Sequence, residues 1–384
     1  MHADVKRPHQ ICTRCVMDTS DPEITFGERG ECNYCQRFDR ELRAEWLPNE
    51  EGARRLGLLV DGIKAECANA EYDCIMGLSG GIDSSYAALV AKRQLGLRIL
   101  AVHVDAGWNS ELAVANIENI VKRLDIDLHT HVVDWDEMRD LQLAFMRSGV
   151  ANQDVPQDHA FFAALYRFAA KKGIRWVLSG GNIATESVLP TAWGYNAMDL
   201  RHLRSIHRAF GKRKLRTYPT CSFLQYYVGY PYVNRVRVLR PLNFMPYVRH
   251  EAQATLEREL GYRHYGAKHG ESRFTKFYQN YWLVERFGFD KRRAHVASLV
   301  LSGEMTREQA LASLTEPPYR SATELAEDKA FVAKKLGISL PEFEEILRAP
   351  HKTYRDYGSN AWLFDLKNRA RPFLQSIGLG AGRK

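Results

Sequence analysis

Residues 74–85 read CIMGLSGGIDSS, a short apolar run that ends in Ser79, Gly80, Gly81, Ile82, Asp83, Ser84 and Ser85. Adjacent glycines let a backbone approach an anion closely and turn successive N–H groups toward it. Ser79, Ser84 and Ser85 add hydroxyl donors, and a helix starting here adds the positive end of its dipole. The stretch is suited to holding a phosphate. It is not G-x-x-x-x-G-K-[ST], since no lysine follows to reach terminal phosphates, and it is not G-x-G-x-x-G. A second glycine pair, Ser179-Gly180-Gly181-Asn182, follows another apolar run, with Glu186 close behind. If both runs are parallel strands, this pair lines the same cleft; otherwise it is a plain turn leading into a helix.

Four of the seven cysteines lie in the first 35 residues, as Cys12-x-x-Cys15 and Cys32-x-x-Cys35 with sixteen residues between the pairs. The segment between them is rich in turn formers and too small for a core of its own. Two C-x-x-C turns can offer four thiolates tetrahedrally, so a closed structural zinc ribbon is expected, with an iron–sulfur cluster as the alternative. Cys67, Cys74 and Cys221 stand singly. Cys74 opens an apolar strand and reads as core; Cys221 reads as a small buried residue unless it carries sulfur.

These groups need elements to position them. Strand-like runs at 72–78, 97–105, 127–134 and 174–182 alternate with helical patterns at 83–95, 111–125, 136–148 and 158–172. That rhythm predicts an α/β fold with a parallel sheet covered on both faces. Residues 183–235 carry Trp, Tyr and Arg with little periodicity, including a basic run at 201–216, and from 247 onward the pattern is helical. The expected domains are 1–48 (zinc ribbon), 49–246 (phosphate-binding α/β domain) and 247–384 (helical C-terminal region). Hydrophobic residues make up 45% and charged residues 26% of the 384-residue chain, as in ordinary globular proteins. No apolar stretch approaches the roughly 18 residues of a membrane span, and residues 1–10 show no apolar signal segment, so a cytoplasmic protein with no membrane partner is expected. The formal charge of +8 suits a polyanion, either nucleic acid or a phosphorylated small molecule.

The pattern S-G-G-x-D-S over 79–84 resembles the PP-loop of the ATP pyrophosphatases, whose adenine-nucleotide α-hydrolase type of Rossmann-like sheet it implies. The resemblance covers about residues 70–185. It implies cleavage of ATP between the α- and β-phosphates, with the loop holding pyrophosphate and AMP passing to a substrate oxygen. Asp83 would then help hold Mg²⁺, a hard cation that takes oxygen ligands. By the same resemblance Ser79, Gly80, Gly81, Ser84 and Ser85 bind the phosphates, Val104 and Asp105 lie where adenosine sits, and Ser179, Gly180, Gly181 and Asn182 line the cleft.

Two functions fit a PP-loop with a cysteine ribbon and positive charge: tRNA thiolation, and amidation of a phosphorylated small molecule. The first wants a persulfide-carrying cysteine, for which Cys74 and Cys221 are the candidates, and no RNA-binding signature accompanies it. The ribbon, the two glycine motifs and residues 267–311 together are similar to the N-acetyl sugar amidotransferases of lipopolysaccharide O-antigen synthesis, over nearly the whole chain. That resemblance implies conversion of the acetamido group of a UDP-linked 2,3-diacetamido-uronic acid to an acetamidino group. It implies ATP, Mg²⁺ and structural Zn²⁺ as cofactors, and ammonia delivered by separate glutaminase and cyclase-like subunits. Nucleic acid is then not an expected partner. It also gives catalytic roles to Asp83 and Ser79 and to a charged cluster of Lys268, Glu271, Arg273 and Lys276, whose cations suit phosphate or carboxylate charge. Without the resemblance, the cluster reads equally well as a surface ion-pair helix. Glu186, Glu271 and Asp105 are the candidate general bases.

Overall fold

The computed structural model describes residues 7–265, 270–319 and 321–367. Five strands, β1 (Cys74–Gly77), β2 (Ile99–Asp105), β3 (Asp127–Val132), β4 (Trp176–Leu178) and β5 (Arg237–Leu239), form one sheet in the order β3-β2-β1-β4-β5. Every pairing is parallel, with Ile75 beside Leu100 on one flank and Val177 on the other. The four expected strands and their intervening helices are present, each within a few residues of its expected bounds. The fifth strand was not expected. Only three residues long and led by Arg237, it gives no run that sequence pattern can register.

Both faces of the sheet are covered at its centre, where β1, β2 and β4 are nearly continuous buried runs, whereas the edge strand β3 (DLHTHV) stays largely exposed. Successive residues of β1 feed opposite cores. Ile75 joins Leu100 and Val102 against the helices Trp135–Ser148 and Val155–Lys172. Cys74 and Met76 join Ile99 and Ala101 against the helices Glu50–Glu66, Ile82–Leu89 and Glu111–Leu124. The later helices divide between these cores: Leu256 and Leu260 enter the second, whereas Phe274, Phe277, Trp282 and Phe343 enter the first. The cysteine segment sits in a third core with Trp193, Ala294, Ala297 and Leu301. There the guanidinium of Arg307 donates to the carbonyls of Cys12 and Cys15, and Arg293 donates to that of Val16.

The order of the sheet reverses between β1 and β4, because β1 is followed on one side by β2 and β3 while β4 and β5 lie on the other. In open parallel sheets the loops leaving such neighbouring strands diverge and leave a crevice. The loop after β1 is residues 78–81, and the loop after β4 is 179–182, so both glycine motifs flank this one point. Gly80 adopts φ +82°, a left-handed conformation that glycine takes without strain. Gly180 is required for another reason. A Cβ there would lie 2.7 Å from the carbonyl carbon and oxygen of Asp83 and from the amide nitrogen of Ser84.

Gly180→Ala is expected to push the two loops apart, lowering the melting temperature and speeding amide hydrogen exchange across residues 79–86. Gly57 has open space around its Cβ position inside a helix, so Gly57→Ala is expected to stabilise by about 0.5–1 kcal/mol. Unchanged exchange in Gly180→Ala would contradict the packing described.

Candidate active site

The crevice is a cavity of about 280 Å³. Its floor is the phosphate loop and the second glycine turn, contributing Ser79, Gly81, Asp83, Ser84, Ser179, Gly180 and Gly181. Its rim is Phe162, Glu186, Arg249, Tyr262, His264, Tyr265 and Glu271. The loop is held by its own hydroxyls. Ser79 Oγ lies 3.0 Å from Ser84 Oγ and accepts from Gly81 N at 3.2 Å, while Ser85 Oγ donates to the Gly81 carbonyl at 2.7 Å. The next helix, Ile82–Leu89, therefore begins with its amides facing the cavity.

Residues far along the chain fix this loop. His103 on β2 donates from Nδ1 to the Leu78 carbonyl at 3.0 Å, its Nε2 accepting from Asn109 Nδ2 at 2.9 Å. Tyr265 donates to the Gly80 carbonyl at 2.7 Å and accepts from Asn116 Nδ2. The hydroxyl of Tyr247 donates to Asp83 Oδ1. Burial, reinforced by the Asp83 charge, holds the Tyr247 phenol far above its ordinary range, so it remains a donor. Burial likewise raises Tyr265 and Tyr262.

Three carboxylates, Asp83, Glu186 and Glu271, face one cavity together with a single guanidinium, that of Arg249. Arg249 Nε is buried with no hydrogen-bond partner among the described residues. Arg249 nevertheless lines the cavity and brings a positive charge to a wall that carries three carboxylates. Glu271 arrives by backbone pairing: Ser110 N donates to the Glu271 carbonyl at 2.9 Å and Arg273 N to that of Trp108 at 3.0 Å. Its Oε1 lies 3.2 Å from the Cβ position of Gly81, so the carboxylate overhangs the loop.

The sequence candidates separate into groups. Ser79, Gly81, Asp83, Ser84, Ser179, Gly180, Gly181, Glu186 and Glu271 line the cavity, and Gly80 shapes the loop from behind. Ser85 is fully buried, and Asn182 caps the short helix Ile183–Glu186. The side chain of Val104 lies in the first core, and Asp105 holds its own turn by accepting from Gly107 N and Asn109 Nδ2. Arg273 and Lys276 turn away from the cavity to Asp328, each at 2.7 Å, with Lys276 also 2.7 Å from Glu324. Lys268 lies outside the described residues. Arg249, Tyr247 and Tyr265 were not among the candidates; no local motif marks them, since their partners lie more than fifty residues away.

Cys12, Cys15, Cys32 and Cys35 form a second site, fully buried, with their sulfurs within 4.8 Å of one another. Neighbouring pairs stand 3.6 Å apart. Tetrahedral zinc at about 2.3 Å from each sulfur requires roughly 3.8 Å, so the set fits a tetrathiolate metal without rearrangement. Backbone amides of Arg14, Cys15 and Cys32 point at Cys12 Sγ at 3.2–3.4 Å, as thiolate charge demands. No cysteine lines the phosphate cavity. Cys74 is in the second core, and burial pushes the Cys221 thiol up to about 11. No described helix is long and apolar enough to cross a membrane.

Comparison with known proteins addresses the two halves of the chain separately. Residues 57–219 match the model of the NAD synthase family, and residues 271–371 match that of the "LPS biosynthesis protein WbpG-like, C-terminal domain". Among curated proteins, the glutamine-hydrolysing GMP synthase of Aeropyrum pernix is 32% identical over 98 residues, covering 24% of this chain and 19% of that protein. That of Albidiferax ferrireducens is 35% identical over 89 residues, covering 22% and 15%. The chain thus spans less than a fifth of the length of these relatives. Among solved structures, NMN synthetase from Francisella tularensis is 17% identical, covers 72% of this chain and 95% of its own, and gives a TM-score of 0.35. The α/β half of the chain, with its phosphate loop at the switch point of a parallel sheet, is thus similar to the NAD synthase family, and the segment from residue 271 is similar to the C-terminal domain of WbpG-like lipopolysaccharide-biosynthesis proteins.

Proposed function

We propose that the protein is an ATP-dependent, AMP-forming amidotransferase of lipopolysaccharide synthesis, acting on the acetamido group of a UDP-linked 2,3-diacetamido-uronic acid. The observation that carries this is one cavity holding a glycine-hydroxyl phosphate loop, three carboxylates and an arginine. The similarity of part of the chain to GMP synthases supports an ATP-dependent amidation, and the C-terminal match supports lipopolysaccharide chemistry.

An amide oxygen is a poor leaving group. In this reading the substrate's acetamido oxygen attacks the α-phosphorus of ATP, and pyrophosphate departs into the loop formed by residues 79–84. The amides of the loop and of the Ile82–Leu89 helix N-terminus, with Arg249, take up the charge that gathers on the departing phosphates. Asp83 and Glu186 are hard oxygen donors on the cavity wall and are the residues that would hold Mg²⁺. Held by these carboxylates, Mg²⁺ would supply positive charge against the phosphates. Ammonia then adds to the imidate carbon, loses one proton, and AMP leaves with the original amide oxygen. Glu271, overhanging the loop, is the carboxylate placed to accept that proton. The ammonia is taken to come from separate glutaminase and cyclase-like subunits. A thiolation reading needs a cysteine at the cavity, and none of its lining residues is one.

Incubated with ATP, Mg²⁺, an ammonium salt and the UDP-diacetamido sugar, the protein is expected to release AMP and pyrophosphate only when the sugar is present. ADP and phosphate, or turnover indifferent to the sugar, would contradict the proposal. Asp83→Ala is expected to lower AMP formation by about a hundredfold or more while leaving the four-cysteine unit folded.

The four cysteines are proposed to hold structural zinc, all four positions being taken by protein so that none is open for catalysis. One zinc per chain by elemental analysis, and a fall in melting temperature after chelation that zinc reverses, are expected. Iron with a visible charge-transfer band would assign the cluster alternative instead.

A further inference from the structure

A second cavity, of about 260 Å³, lies beside the helix Leu200–Phe210 and belongs to no part of the site above. Arg201, Arg204 and Arg208 line it, together with Ser222, Phe223 and Asn360. The arginines follow the three- and four-residue spacing that puts side chains on one helical face. The opposite face buries His202, Leu203 and Ile206. None of the three guanidiniums has an ion pair or hydrogen bond among the described residues. The nearest acidic group on this element is Asp199, and its carboxylate is already engaged. It caps the helix at His202 N (3.1 Å) and accepts from Ser359 Oγ and Asn360 N, both at 2.7 Å.

The rest of the basic run is accounted for differently. Lys212 N and Arg213 N donate to Asp140, Arg213 pairs with Asp136 at 3.0 Å, and Arg216 N donates to Glu137. Those contacts dock the loop after the helix onto Trp135–Ser148, whereas the helix arginines are left over a concave surface. Three guanidinium forks converging on a small cavity fit a compact polyanion and not the extended backbone of a nucleic acid.

The walls of the two cavities are tied together by ring packing through the buried Tyr226. Phe162, on the rim of the first, lies 6.4 Å from Tyr226; Tyr226 lies 4.9 Å from Tyr227; and Tyr227 lies 4.8 Å from Phe223, which lines the second. A sugar nucleotide carries a diphosphate, a compact polyanion of the kind that guanidinium forks suit.

We infer that the Arg201–Arg204–Arg208 cavity seats the diphosphate of the sugar-nucleotide substrate. This rests on the substrate class given under Proposed function, but its test does not require turnover. With the phosphate cavity first filled by α,β-methylene-ATP and Mg²⁺, UDP is titrated calorimetrically into wild-type protein and into Arg201→Ala/Arg204→Ala. Wild-type protein is expected to bind UDP, and the double variant to bind it at least about tenfold more weakly, the loss of one charged hydrogen bond already giving that factor. Arg204→Lys is expected to fall between them, and the ATP analogue is expected to bind all three equally. In turnover the double variant raises KM for the sugar nucleotide and leaves KM for ATP unchanged. Absent UDP binding in wild-type protein, equal UDP binding by the double variant, or arginine-dependent binding of single-stranded RNA that UDP does not displace would each overturn the inference. Amidation that proceeds with an unaltered sugar KM in the double variant would overturn it while leaving the proposed function standing.

Discussion

The reversal of strand order between β1 and β4 is the constraint on which the rest of the molecule depends. Two loops that leave adjacent strands at such a point border a crevice beyond the carboxyl ends of the strands. Here the parting loops are both glycine turns, and the contact of Gly180 with the first turn of the Ile82–Leu89 helix sets how far apart they stand. A side chain at that point would fill the very space in which the phosphate-binding amides are exposed.

A crevice of this kind is open on its outer side, and later parts of the chain close it. Tyr247 and Arg249 come from the approach to the helix Arg249–Leu260, Tyr265 from the segment after it, and Glu271 from a short antiparallel pairing with residues 108–110. The pairing is anchored from behind: Arg273 and Lys276 share the buried carboxylate of Asp328, and Arg273 lies 3.9 Å over the ring of Phe331. These charges hold a segment in register rather than meeting a ligand. The matched C-terminal segment begins at residue 271, so through Glu271 it supplies a wall of the same cavity.

The sequence made the sheet legible where strands were apolar and bounded by glycines, and it made the phosphate loop and cysteine ribbon legible because their chemistry is local. It was silent on β5, whose three residues owe their strand conformation to pairing with Trp176–Leu178 and not to any pattern of their own. It was silent too on Arg249 and on Tyr247 and Tyr265, whose partners lie from more than fifty to more than 150 residues away in sequence and which look like ordinary surface and core positions. The cluster at 268–276 shows the limit from the other side. Its charge density was visible, but the partners that draw Arg273 and Lys276 away from the cavity lie about fifty residues further on.

If the cavity does what its loop, carboxylates and arginine suit it to do, the oxygen lost from the acetamido group has one destination. A sugar nucleotide labelled with ¹⁸O in the reacting acetamido group, turned over with ATP and ammonia, tests this by mass spectrometry of the released nucleotide. Adenylation of the amide oxygen predicts one ¹⁸O atom in AMP for each amidine formed and none in pyrophosphate. Label found in inorganic phosphate or in water, with unlabelled AMP, would contradict the account at its centre.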